Sequence, residues 1–152
     1  MKEMILMSHV TFGVFALLAS VWLFVDVLNG GEAALRRAVV ASIAVAALLW
    51  LSYLLAGYWY VNFYPADKAL ILKGPWPFAH KLFMESKEHL FFVLLLIGSF
   101  LPIAAFDVRV RSSGSGRTLL MVLAALVALL ALVMEGSGAV IGLGVKEGLL
   151  AR

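Results

Sequence analysis

The sequence predicts an all-α fold, an integral membrane four-helix bundle, and three observations carry that expectation. Apolar residues make up 64% of the 152 residues and charged residues 14%, against roughly 45–50% and about 25% in soluble domains. Mean hydropathy is +1.04, and a soluble fold of this length has too much surface for its size to hide that many apolar side chains. The apolar residues also fall into four stretches, each near or above the roughly 20 residues that cross a hydrocarbon layer of about 30 Å. Backbone in lipid must satisfy its own hydrogen bonds, and the alternation a closed barrel would need is absent, so the four spans are helices of one domain.

The first span covers about residues 4–28 and stops at Asn29-Gly30-Gly31, a strong helix terminator. Its apolar part is longer than the roughly 7–15 residues of a signal-peptide core, so it reads as an uncleaved span. The second covers about residues 36–62 and closes in Tyr58-Trp59-Tyr60-Val61-Asn62-Phe63-Tyr64, an interfacial aromatic belt, with Pro65 predicted to stop it. Residues Pro65 to Pro77 mix Leu70, Ile71, Leu72 and Trp76 with Lys68 and Lys73, which reads as an interfacial loop lying over the membrane surface. The third span covers about residues 79–106 after Gly74-Pro75-Trp76-Pro77, and the fourth about residues 117–144, running on into a glycine-rich tail. Gly138 with Gly142, and Gly144 with Gly148, make small-x-x-x-small steps suited to close helix contact.

Short connections predict an up-down-up-down order, with both termini and the Pro65–Pro77 loop on one side, here X, and the other two turns on side Y. A raw Lys/Arg count favours X as cytoplasmic, seven to five. Side Y concentrates Arg36, Arg37, Arg109, Arg111 and Arg117 in two short loops, where the positive-inside rule is strongest. The expected placement is an inner or plasma membrane with the termini on the non-cytoplasmic side. The net charge of +3 is scattered rather than gathered in a stripe, so nucleic acid is not an expected partner.

The chemistry-bearing groups gather on side X. His9 lies in the first span, Tyr58 and Tyr60 near the end of the second, His80, Glu85, Glu88 and His89 early in the third, and Glu135 in the fourth. Lys81, Glu85 and His89 share one face of a regular helix, and His80, Met84 and Glu88 the adjacent one. Lys81, Lys87 and Glu85 read as a solvated extension of the third helix. Glu88 and His89 abut the apolar run, where ionisable groups are costly and tend to be functional.

Three kinds of site fit this layer. One is haem b held by two imidazoles, His9 and His89, with His80 as an alternative ligand or propionate partner. The groove of His9, Gly13, Ala16 and Ser20 would admit the macrocycle, and Tyr58 and Glu135 would border it. The second is a non-haem metal site from His9, Glu85 or Glu88, His89 and Glu135, weakened by the lack of Glu-x-x-His on any helix. The third is a proton-relay or quinone-type pocket lined by Tyr, Trp, His and Glu. With zero cysteines there is no thiolate ligand or nucleophile, and hydrolase, nucleotide-binding and zincin motifs are missing. In helix count and histidine placement the chain resembles the small four-helix membrane anchors that carry haem b in respiratory complexes. That resemblance implies electron relay beside other membrane or redox subunits, with quinone as a candidate partner. The alternatives are a cofactor-free structural or assembly subunit and, behind it, a Glu/His metal-dependent membrane enzyme.

Overall fold

A computed structural model describes residues 1–151. Helix α1 (Lys2–Asn29) ends as its sequence requires. Gly30 takes a left-handed φ of 71°, and its N–H bonds the Asp26 carbonyl, a conformation that glycine adopts without steric cost. Gly31 then opens α2 (Glu32–Lys73). A π-helical turn (Ala79–Met84) leads into α3 (Glu85–Phe106), and a short α4 (Val108–Ser112) precedes α5 (Gly114–Leu150). Four of these helical stretches are long and apolar enough to cross a membrane.

Helix α1 packs on α2 and α5, and α3 packs on the same two, so α1 and α3 stand across the bundle from each other. Side-chain pairs fix the directions. Asp26 meets Arg37 near one end of α1 and α2, and His9 meets Ser52 farther along, so the two helices run opposite ways. Trp50 bonds Ser99 while Tyr64 bonds His80, which sets α3 against α2 in the same manner. The main core is rich in small residues, Ala16, Ala38, Ala41, Ala105, Ala124 and Ala131, interleaved with Leu23, Val45, Leu49, Leu101 and Val127. Without a hydrophobic drive between helices in lipid, such residues let backbones come close enough for dispersion to hold them. The outward faces carry Phe15, Leu18, Trp22, Leu54, Leu96, Phe100, Ile103, Leu129 and Leu132, side chains suited to contact with lipid.

Two expectations are corrected. The second span does not stop at Pro65: α2 has 42 residues and contains that proline. Pro65 cannot donate to the carbonyl four residues back, at a cost of roughly 3 kcal/mol in a helix interior. Pro65 and its neighbour Ala66 are exposed, while Trp59, Tyr64 and Ile71 on the other face fill a second core with Ala79, Met84 and Ile141. Burial of that face outweighs the broken bond. The expected interfacial loop is therefore helical from Pro65 to Lys73, about two and a half turns, and only Gly74 to Phe78 remain as a connection.

The helices that carry the second and fourth spans are also longer than the expected 36–62 and 117–144. At about 1.5 Å per residue, α2 runs about 63 Å, roughly twice the hydrocarbon thickness. The glycine-rich tail is helical to Leu150, so α5 accompanies α2 outward. Glycine makes that pairing possible. A Cβ on Gly148 would stand 2.6 Å from the Leu70 carbonyl oxygen, and one on Gly74 would stand 2.8 Å from the Gly148 Cα. Lys2 closes the assembly by an ion pair to Asp67 at 2.8 Å. The molecule thus has a lipid-facing bundle and a helical cap beyond it.

Candidate functional site

Between bundle and cap, four polar side chains from four long helices meet. His9 of α1, Ser52 of α2, Lys87 of α3 and Glu135 of α5 line one cavity together with Gly13, Leu49, Phe91 and Leu94. The cavity holds about 10 Å³, close to the least that accommodates one water molecule. His9 is buried. Its Nδ1 lies 2.8 Å from Ser52 Oγ and 3.0 Å from the Ser52 carbonyl oxygen, and Ser52 Oγ also donates to the His9 carbonyl at 3.1 Å. The short side chain of serine lets α1 and α2 lock together at this point and fixes the imidazole, leaving Nε2 uncommitted.

Glycine places the carboxylate. Glu135 Oε1 lies over Gly13, where a Cβ would overlap it and would stand 3.7 Å from Ser52 Oγ. Gly13 thus makes a niche for a carboxylate. Gly138, one turn along α5 from Glu135, does the same for the ammonium: a Cβ there would stand 3.1 Å from Lys87 Nζ. Among the described residues the ion pairs are Lys2–Asp67, Arg36–Glu32, Arg37–Asp26 and Arg109–Asp107, and the His80 imidazole lies 4.0 Å from Glu85. Lys87 and Glu135 face the same cavity without closing to such a contact.

The depth of this cluster follows from helix geometry. Asp26 and Arg37 mark the far end of the bundle, with Arg37 Nη2 2.6 Å and Nε 3.3 Å from the two carboxylate oxygens. Counting along α1 or α2, the His9–Ser52 level is about 25 Å from that pair, which puts the cluster near the X-side edge of a hydrocarbon layer of about 30 Å. The interior between the two levels is apolar, broken by Ser20 and Ser42, whose hydroxyls bond carbonyls of their own helices. Past Ser52, α2 continues for about 32 Å into the cap.

The structure brings together His9, Gly13 and Glu135, three of the residues expected at the site. His89 lies elsewhere. It is exposed, with Nδ1 2.6 Å from the Glu85 carbonyl oxygen, on an open groove with Lys81, Glu85, Ser86 and Leu90. His9 and His89 do not face each other, and the cavity beside His9 is far too small for a porphyrin. Tyr58 points outward against Phe63. His80 is buried in the π-helical turn, with Nδ1 3.0 Å from the Tyr64 hydroxyl and Nε2 4.0 Å from Glu85 Oε1. Glu88 is half-buried, and its Oε1 is shut off from solvent without a hydrogen-bond partner. No group of three or more His, Asp or Glu side chains converges as a metal site among the described residues.

Sequence reasoning missed Ser52 and misplaced Lys87, which was expected in water. The signal for Lys87 was its register. It lies three residues after Met84 and four before Phe91, both buried, on the inward stripe of the helix. Comparison with protein families, with curated proteins and with solved structures finds no match, so the reading of this site rests on its geometry.

Proposed function

We propose that this chain is a multi-pass membrane subunit whose working part is an acid–base cluster, His9–Ser52–Lys87–Glu135. In this reading it exchanges protons on side X for a lipid-soluble or redox partner within a larger membrane complex. The observation that carries it is the convergence of an imidazole, an ammonium and a carboxylate from three helices on one water-sized cavity, with no ion pair closing it. Ionisable side chains within a membrane bundle are rare and expensive, and they commonly mark proton or ion pathways. A structural network would pair its charges, since a buried unpaired charge is strongly destabilising. The apolar interior beneath the cluster argues against a continuous transmembrane pathway and for exchange with one side. The X side is the non-cytoplasmic one in this proposal, because the arginines gather at the other end.

The test is a pH titration of the protein in nanodiscs followed by infrared difference spectroscopy. The expected result is a protonated-carboxyl C=O band that titrates, disappears in Glu135→Gln and moves in Lys87→Met. A carboxylate band that never changes with pH would overturn the reading. A visible spectrum tests the electron-relay alternative on the same preparation. Six-coordinate b-type haem bands that vanish in both His9→Ala and His89→Ala would replace proton exchange by haem ligation.

One observation favours a structural role for part of the cluster. The three contacts between His9 and Ser52 tie α1 to α2 and would serve an assembly subunit equally well. Whether Glu135 exchanges its proton in the infrared titration separates the two readings, since packing alone does not require it.

A further inference from the structure

The end of the bundle opposite the cap carries Arg36, Arg37, Arg109, Arg111 and Arg117 with three carboxylates. Each carboxylate already has its arginine: Asp26 holds Arg37 at 2.6 Å, Glu32 holds Arg36 at 3.6 Å, and Asp107 holds Arg109 at 3.8 Å. Arg111 and Arg117 have no carboxylate among the described residues. Neither guanidinium is simply dissolved in water. Both residues are half-buried. The Nε of Arg111 is shut off from solvent without a hydrogen-bond partner. Arg117 lays its guanidinium across the α1–α2 turn, with Nη1 2.6 Å from where a Cβ on Gly30 would stand.

The two arginines leave from one corner. Gly116 of α5 packs directly on the backbone of Val110 of α4, so the residue that follows each glycine or valine starts from adjoining points. Guanidinium forks match phosphate oxygens two at a time, and both side chains are still partly exposed, so a phosphate can reach them even though the Arg111 Nε itself is covered. The corner also borders the lipid-facing surface, where Leu28, Phe106, Val108 and Leu119 are exposed. Cationic N–H donors beside exposed apolar side chains are what a phospholipid needs, with the phosphate on the donors and the acyl chains along the helices.

We propose that Arg111, Arg117 and the Gly30–Gly31 turn form a binding site for the phosphate of an anionic phospholipid. Lipid occupancy would place this end of the bundle in the anionic, cytoplasmic leaflet. The site is remote from the His9–Glu135 cluster and stands independently of it. A free phosphate ion shares the recognition chemistry, and the difference lies in the acyl chains.

The experiment uses the full chain, delipidated in a neutral detergent and titrated with phosphatidylglycerol, phosphatidylcholine or inorganic phosphate, with bound molecules counted by native mass spectrometry. Phosphatidylglycerol is expected to be retained in preference to phosphatidylcholine. Arg111→Gln and Arg117→Gln should each weaken it about fivefold, Arg111→Lys and Arg117→Lys should weaken it less, and Arg36→Gln should leave it unchanged. Equal retention of both lipids would overturn the proposal. So would an equal loss in Arg36→Gln, which would mean attraction by overall charge. Inorganic phosphate that displaces phosphatidylglycerol at matching concentration would also overturn it, leaving a soluble-anion site. The lysine variants retain charge and helix, so loss of binding from failed folding would show as equal loss in lysine and glutamine variants, which also counts against the proposal.

Discussion

Glu135 keeps its place because position 13 has no side chain. Gly13→Val would put carbon where the carboxylate lies, and neither α1 nor α5 can retreat without opening the alanine-rich contact beneath. The expected outcome is loss of the titrating carboxyl band together with a destabilised bundle, read as a fall in thermal midpoint. Ser52→Ala is milder. It removes a hydroxyl that contacts both His9 Nδ1 and the His9 carbonyl, and leaving a buried polar group short of a partner costs roughly 1–3 kcal/mol. Reversible unfolding in mixed micelles measures that loss, and an unchanged stability would mean that the α1–α2 lock is not made. At this scale His9, Gly13 and Glu135 were legible in the sequence, because an ionisable or very small residue in an apolar run is conspicuous. Ser52 was not, since serine is common within membrane helices and its partner is 43 positions away.

At the scale of helices, hydropathy located all four spans but misjudged where two of them end. Pro65 is a strong local stop signal, and the burial of Trp59, Tyr64 and Ile71 that overrides it depends on a π-helical turn and a C-terminal helix far away in the chain. The π-helical turn also changes the register of the third span, so faces counted at regular helical spacing from His80 do not carry through unchanged to His89. The cap rests on the approach of α5 to α2 at glycine. Gly148→Val must push a side chain into the Leu70 carbonyl, 2.6 Å from the position of its Cβ, and nothing flexible there can give way. We expect the cap to part from α2, with protease cleavage between Gly74 and Phe78 much faster than in the unsubstituted protein and the four spans still inserted. Cleavage at an unchanged rate would contradict the account of the cap.

Over the whole molecule, two polar levels about 25 Å apart bracket an apolar interior, and the bundle extends past only one of them. Arginines lie at the plain end, and the acid–base cluster with its cap lies at the other. This asymmetry was legible in the sequence as a gathering of histidine, glutamate and tyrosine toward one side, though not as a helical cap, because apolar and charged residues mixed over Pro65–Pro77 fit a surface loop equally well. The chain has zero cysteines, so single cysteines at positions 2, 31, 76 and 113 can be labelled cleanly with an impermeant reagent in sealed vesicles. Positions 2 and 76 should label from one face and positions 31 and 113 from the other, and any other grouping would contradict four spans.

Proton exchange of the cluster with side X alone is probed by a one-sided pH jump. With the protein oriented uniformly in sealed vesicles, the external pH is changed while the lumen stays buffered, and the Glu135 carboxyl band is followed in the infrared. A prompt response is expected when side X faces the jump and no response when side Y does. A band that answers equally to both sides would mean a path through the apolar interior, and the one-sided account would be wrong.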